Sequence, residues 1–375
     1  MDNKLESVLD IMNENQLQMI IISDGYNMHS LSGYKGHTGC ILYFKDKQYI
    51  LTDSRYTEQA TIEAPQLMCI DIGSDGYSKT IAGLMKPYVE QMNASHNQET
   101  SAFLIGFENE HISYNQFMSF HDTFRKAFGD CIQFHELKNQ INKLRVIKSE
   151  DELVRLSKAE QIGDLAFSHI LQFIKPGKTE MEVALELEYF MKSHGASGLS
   201  FDTIVASGPN SSLPHAVPTE RILKDGDFVT MDFGCVYKGY CSDMTRTIYI
   251  GKEPSKKQQE IYEIVLQAQL AALAEIKPGM KCSDVDAVAR NFIKDAGYGS
   301  YFGHGLGHGV GLYIHEEPRF SPKCEELLTP GVVITVEPGI YLPGEFGVRI
   351  EDMIQITEDG YRNLTSSPKK LICVS

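Results

Sequence analysis

The chain has 375 residues, 42% hydrophobic and 23% charged, a length and composition that suit a soluble globular protein of two domains. Its formal net charge of −15 argues against nucleic acid as a partner, because that binding needs Lys and Arg to neutralise phosphate. The opening MDNKLESVLDIMNENQ lacks the apolar core of a signal peptide, and Met19-Ile20-Ile21-Ile22 is far too short to span a membrane.

In chain order, that opening stretch predicts an amphipathic helix. Strands are expected at 18–23, 39–44, 48–52, 67–72 and 103–107, with helices near 78–91 and 114–128. This alternation is an α/β pattern and assigns an N-terminal α/β domain, a mixed sheet with helices, to residues 1–135. The polar stretch HELKNQINKLRVIKSEDE reads as a linker over 136–150, and residues 151–375 form the second domain. Ser149 caps a helix over 151–173, whose apolar stripe is Leu153, Leu156, Ala159, Ile162, Leu165, Ala166 and Ile170. The eight cysteines are scattered without CxxC spacing, as in reduced thiols of a cytoplasmic protein. Cys235 and Cys241 flank a turn, at a spacing that suits neither a zinc knuckle nor a redox motif.

The second domain echoes itself. IKPGKTEMEVALELEYFMKSHG starts at Ile174, and IKPGMKCSDVDAVARNFIKDAG starts at Ile276, 102 residues later. Each copy opens on a Pro-Gly turn, continues as a helix and stops at glycine. An acidic hairpin follows each copy. Two α+β halves that meet face to face would bring both hairpins to one site, a pseudo-twofold arrangement.

The first hairpin is FVTMDFGCVYKGYCSDMTRTIYI, whose alternation places strands on both sides of Tyr237-Lys238-Gly239. With the turn centred between Tyr237 and Lys238, Asp232 and Asp243 face each other, roughly 4.5–5.5 Å apart. The second, VITVEPGIYLPGEFGVRIEDMIQI, sets Glu337 opposite Glu351 around Gly344. Like charges so placed repel, and two divalent cations would neutralise the four carboxylates. Between the hairpins lies YFGHGLGHGVGLYIHEEPRF, with His304, His308 and His315 among alternating glycines. The glycines oppose a zinc-protease helix and let backbone approach a ligand site closely. Asp232, Asp243, His308, Glu337 and Glu351 are therefore read as ligands of a two-metal site. Carboxylates with imidazole suit Mn, Co or Zn, and such pairs are common in hydrolases.

At this point the chain resembles a known family. SGPNSSLPHA, MDFGCVYKGYCSDMTRT, GHGLGHGVGLYIHE, TVEPGIY and GVRIED are similar to the successive signatures of the pita-bread metallopeptidases, in the Xaa-Pro aminopeptidase and prolidase branch. TDSRYTEQA, ending at Ala60, resembles the creatinase-type N-terminal domain of that branch. The resemblance spans essentially the whole chain and implies a pita-bread fold for the catalytic domain. By resemblance, Asp243 and Glu351 bridge two metals, Mn²⁺ first, with Co²⁺ or Zn²⁺ as alternatives. His215, His304 and His315 match histidines that hold substrate and stabilise the transition state, and Arg349 matches a supporting arginine. The implied activity is hydrolysis of the Xaa-Pro bond at peptide N-termini, by water activated between the metals. His315 or His215 would meet the oxyanion, and Glu337 would carry the proton. Arg319 is a candidate clamp for the carboxylate of a dipeptide, as in prolidases. A homodimer is implied by the same relatives. The competing classes are a creatinase-like hydrolase without metal, a silent binding scaffold, and a methionine aminopeptidase. The full ligand set opposes the first two, and the N-terminal domain opposes the third.

Overall fold

The computed structural model describes residues 2–36, 38–95 and 102–375. The chain divides into two compact units, Met1–Arg145 and Val146–Ser375, the boundary falling inside the polar segment 136–150. Leu137 and Ile141 of that segment are buried in the core of the first unit.

The first unit is α/β. Its helices are α1 (Asp2–Glu14), α2 (Gly25–Ser32), α3 (Thr57–Glu63), α4 (Gly76–Ser95) and α5 (Tyr114–Phe128). Its strands are β1 (Met19–Ile22), β2 (Cys40–Phe44), β3 (Gln48–Thr52), β4 (Met68–Asp71), β5 (Phe103–Phe107) and β6 (Ile132–Glu136). They form one mixed sheet in the order β4-β3-β2-β1-β5-β6. The central strands β1 and β2 are buried along their length, as continuous apolar runs predict. Apolar clusters cover both faces. Every predicted strand is present, while the short helices α2 and α3 and strand β6 carry too weak a period to stand out in the sequence.

The second unit is a duplicated α+β structure. Helices α6 (Glu150–Phe173) and α7 (Glu180–Ser193) begin one half, and α8 (Lys256–Glu275) and α9 (Cys282–Asp295) the other. Ser149 and Glu152 form a reciprocal capping box on α6, so the predicted cap holds. Strands β7 (Gly198–Leu199), β8 (Ile204–Ser207), β9 (Phe228–Phe233), β10 (Cys235–Tyr237), β11 (Tyr240–Cys241) and β12 (Met244–Ile250) belong to the first half. The second half supplies β13 (Gly307–Gly309), β14 (Glu316–Phe320), β15 (Val333–Val336), β16 (Gly339–Leu342), β17 (Phe346–Arg349), β18 (Asp352–Ile356), β19 (Tyr361–Asn363) and β20 (Cys373–Val374). The main sheets run β20-β12-β9-β8 and β14-β13-β15-β18-β19. Residues of α6 and α7 pack on the first and residues of α8 and α9 on the second, each with its own apolar core.

The 102-residue echo is physical. α7 and α9 start and stop 102 residues apart. Gly177 and Gly279 both adopt positive φ, 93° and 84°, as do Gly195 and Gly297, 105° and 90°. Thr179 bridges Ile222, and Lys281 bridges Leu327, at the same place in each half.

One expected register is corrected. Lys238 (φ 49°) and Gly239 (φ 90°) form a two-residue turn with both central residues left-handed, the twist a tight hairpin favours. Tyr237 joins the ladder opposite Tyr240, so the turn centre moves and Asp232 pairs with Thr245. Asp243 is then a diagonal neighbour of Asp232 on the same face, not its direct partner. The second hairpin holds its expected register. Val336 pairs with Asp352 on one side and Gly339 with Arg349 on the other, which sets Glu337 opposite Glu351.

Candidate metal centre

Three of the acids lie where strands break. Asp243 sits between β11 and β12, Glu337 between β15 and β16, and Glu351 between β17 and β18. Their backbone groups leave the hairpin ladder and bond elsewhere. Glu351 N–H donates to Thr245 O at 3.1 Å, which ties the two hairpins together, and Glu337 N–H donates to Leu306 O at 2.8 Å. The first break needs Gly234, because a Cβ there would lie 1.9 Å from Ser242 O.

The carboxylates converge on His308, in the middle of β13. Its Nε2 lies 3.4 Å from both Asp243 Oδ2 and Glu337 Oε1. Its Nδ1 donates to Gly309 O at 3.1 Å, which leaves Nε2 as the ligating nitrogen. Ligand atoms of Asp243, His308 and Glu351 all fall within 4.8 Å of one another. The glycines of this loop allow the approach. A Cβ at Gly307 would sit 2.0 Å from Thr335 O, and one at Gly309 2.4 Å from Glu317 O.

Hydroxyls and one guanidinium aim the acids. Thr245 Oγ1 donates to Glu351 Oε2 at 2.6 Å, and Thr335 Oγ1 donates to Glu337 Oε1 at 3.2 Å. Arg349 Nη2 donates to Asp232 Oδ2 at 2.7 Å, while Asp232 Oδ1 is buried with no hydrogen-bond partner among the described residues. Burial, and then the neighbouring carboxylates, push the Asp243 and Glu351 carboxyls well above the usual carboxylate range. Burial also raises Glu337, although His308 and Arg349 oppose it. An unpaired buried acceptor beside mutually repelling carboxylates is a site short of positive charge. Its oxygen and nitrogen donors fit divalent cations, which Asp232, Asp243, His308, Glu337 and Glu351 would hold.

These five residues line a cavity of about 650 Å³ together with His215, His304, His315, Arg319 and Arg349. His304 donates from Nδ1 to Gly305 O at 2.8 Å, so its Nε2 accepts from the Tyr341 hydroxyl at 2.9 Å. That hydroxyl in turn accepts from Arg349 Nη1 at 2.9 Å. Burial and the Arg349 charge push His304 down to about 4. Burial and then His308 push His315 down to about 4, and its ring stands edge-on to His308, centroids 4.6 Å apart. Both rings are therefore neutral hydrogen-bonding groups at neutral pH. His215 lies exposed at the lip of the cavity.

Sequence reasoning missed three residues that the structure adds: Thr245, Thr335 and Tyr341. Thr335 was findable, because it lies two residues before Glu337 and shares a strand face with it. Thr245 lies two residues after Asp243, but the acid it holds is Glu351, 106 residues away. Tyr341 gave no local signal, because its partners lie 37 residues before it and 8 after it.

Comparison with known proteins bears on the same regions. Residues 154–358 match metallopeptidase family M24, and residues 4–147 match the creatinase/prolidase N-terminal domain. The chain is 40% identical to the Xaa-Pro dipeptidase of Pyrococcus furiosus, over 99% of this chain and 100% of that one. Among solved structures it is similar to the Xaa-Pro dipeptidase from Bacillus anthracis, with a TM-score of 0.87 and 42% identity over 99% of each chain. The X-Pro aminopeptidase from Thermotoga maritima gives a TM-score of 0.84 at 36% identity, over 96% of this chain and 98% of that one.

Proposed function

The chain belongs to metallopeptidase family M24, with a creatinase/prolidase N-terminal domain, and we propose that it hydrolyses the Xaa-Pro bond at the N-terminus of proline-containing peptides. The observation that carries this reading is the buried, cation-deficient cluster around His308, with the unpartnered Asp232 Oδ1, opening into a cavity that also presents three histidines. Asp232, Asp243, His308, Glu337 and Glu351 would hold two divalent cations, Mn²⁺ before Co²⁺ or Zn²⁺. Cations bound there acidify water and polarise a carbonyl near neutral pH.

The side chains supply the rest. A cation held by this cluster would offer a place for the free α-amino nitrogen of the substrate, which favours exopeptidase action. Glu337, whose Oε1 is fixed by Thr335, takes the proton from water and passes it to the departing proline nitrogen. Neutral His315, together with His215, donates to the carbonyl oxygen as charge develops on it. Arg349 holds Asp232 in one orientation and, through Tyr341, fixes the His304 ring. The test is release of the N-terminal residue from an Xaa-Pro peptide, with and without chelator. An inactive, metal-free protein unchanged by Asp243→Ala would end the peptidase reading.

Arg319 lines the same cavity, donates to His315 O at 3.2 Å and lies 3.8 Å from Glu317, a loose pair that leaves its guanidinium usable. We assign it to the free carboxylate of a dipeptide. Arg319→Ala then raises KM for an Xaa-Pro dipeptide and spares an Xaa-Pro-Yaa tripeptide. Equal losses on both would refute the clamp. We further place the enzyme in the cytoplasm as a homodimer, on the strength of its free cysteines and of the family resemblance. Cell fractionation checks the first, and light scattering the second, against a chain mass of 42.0 kDa. No helix among the described residues is long and apolar enough to cross a membrane.

A further inference from the structure

The loop that carries His215 is held by a carboxylate with no part in the metal cluster. Glu180, the first residue of α7, is fully buried. Its Oε1 accepts from Ser207 N–H and Ser207 Oγ, each at 2.7 Å, and from Asn210 Nδ2 at 3.1 Å. Its Oε2 accepts from Thr219 N–H at 3.0 Å and Thr219 Oγ1 at 2.6 Å. One side chain thereby clasps both legs of the loop 208–219. The middle of the loop is tied separately: Gly347 N–H donates to Ser211 Oγ at 2.9 Å and Arg349 Nη1 to Pro214 O at 3.2 Å. His215 itself makes no side-chain hydrogen bond among the described residues, so the loop backbone alone sets its place.

The internal duplication separates this clasp from the needs of the fold. In the first half Gly177 N–H donates to Leu223 O, Leu223 N–H to Lys178 O, Glu180 N–H to Arg221 O and Met181 N–H to Thr219 O. In the second half Gly279 donates to Leu328, Leu328 to Met280, Cys282 to Glu326 and Ser283 to Cys324, the same corner bond for bond. The residue in the place of Glu180 is Cys282, which closes the corner without a carboxylate. The acid occurs in the half that carries His215, while the second half sets its own cavity histidines, His304, His308 and His315, without one.

We propose that Glu180 is a positioning residue that fixes His215 for substrate by clasping the two legs of its loop. The proposal rests on the peptidase reading given above for His215. It predicts a specific pattern for Glu180→Gln, which keeps the shape but turns one acceptor into a donor facing donors.

The experiment measures Xaa-Pro peptide hydrolysis by the metal-loaded wild type, Glu180→Gln, His215→Ala and the double variant, alongside amide hydrogen exchange. Glu180→Gln lowers kcat about tenfold with a smaller change in KM, speeds exchange in 208–219 but not along α7, and keeps the full metal content. In the His215→Ala background it adds nothing, because both changes remove the same contact. Independent, multiplying losses overturn the proposal, as does unchanged exchange in the loop or loss of metal. Thr219→Val, which deletes one of the five donors, gives the same pattern more weakly and decides the matter if Glu180→Gln does not fold. A wild type without peptidase activity would sink the functional reading, and the exchange result would still decide whether Glu180 clasps the loop.

Discussion

Stripping divalent cations with a chelator makes the second unit less stable as pH rises from about 6.5 to about 8. Glu160, behind the site on α6, is fully buried, and burial first and Asp164 second push its carboxyl up to about 8. Asp243 and Glu351 are raised as well, by burial and by their neighbours. A carboxyl with a raised folded-state pKa keeps its proton while the unfolded chain has lost it, so the native state binds more protons and its stability falls as pH rises. His304 and His315, lowered to about 4, act in the opposite sense, but mainly below the ordinary histidine value near 6.5. At 6.5 an unfolded histidine is still half protonated, so the two together return about 0.8 kcal/mol over roughly the first pH unit above 6.5 and little beyond it, less than the carboxyls take away. A fully retained proton costs about 1.4 kcal/mol per pH unit. Glu160 alone therefore accounts for about 1–2 kcal/mol across this window, and each further carboxyl that stays protonated adds up to about 2 kcal/mol. The assay is urea unfolding followed by far-UV circular dichroism, since the chain has no tryptophan. With saturating Mn²⁺ the trend reverses, because cations bind the deprotonated ligands and do so more tightly at higher pH. A metal-free stability that stays flat or rises over this interval would refute the reasoning.

Thr245→Val removes the hydroxyl that donates to Glu351 and leaves Arg349 Nε, which donates to the same hydroxyl at 3.1 Å, without an acceptor. The metal-free protein loses about 1–3 kcal/mol, and divalent-cation affinity measured by calorimetry falls about 10–100-fold. An unchanged affinity would show that Glu351 needs no such support. Gly307→Ala forces a Cβ to within 2.0 Å of Thr335 O, on the strand that orients Glu337, and costs about 3 kcal/mol or more in urea unfolding. Gly177→Ala has a positive φ of 93° but open space around it, so it costs only about 1 kcal/mol. Equal costs at the two positions would contradict the close-approach account of the histidine loop.

Much of the molecule is legible along the chain because its determinants are local. Periodicity marks the strands of the first unit, Ser149 and Glu152 mark the start of α6, and the two IKPG segments mark the duplication. The Glu337–Glu351 register follows from Gly344, whose φ of 74° is the turn conformation glycine favours. The Asp232–Asp243 register did not follow. Tyr237 reads as part of a turn by position, but Lys238 also accepts a left-handed φ, so Tyr237 is freed to pair across the hairpin. The sequence by itself determined which side chains can bind metal, their order, and the presence of two matching halves, because residue type and spacing are properties of the chain. Tertiary structure alone decided how those side chains are held. Thr245 reaches Glu351 across 106 residues, Arg349 reaches Asp232 across 117, and Glu180 closes a loop that ends 39 residues away. Such bonds depend on which strands come to lie side by side, and no local pattern encodes them.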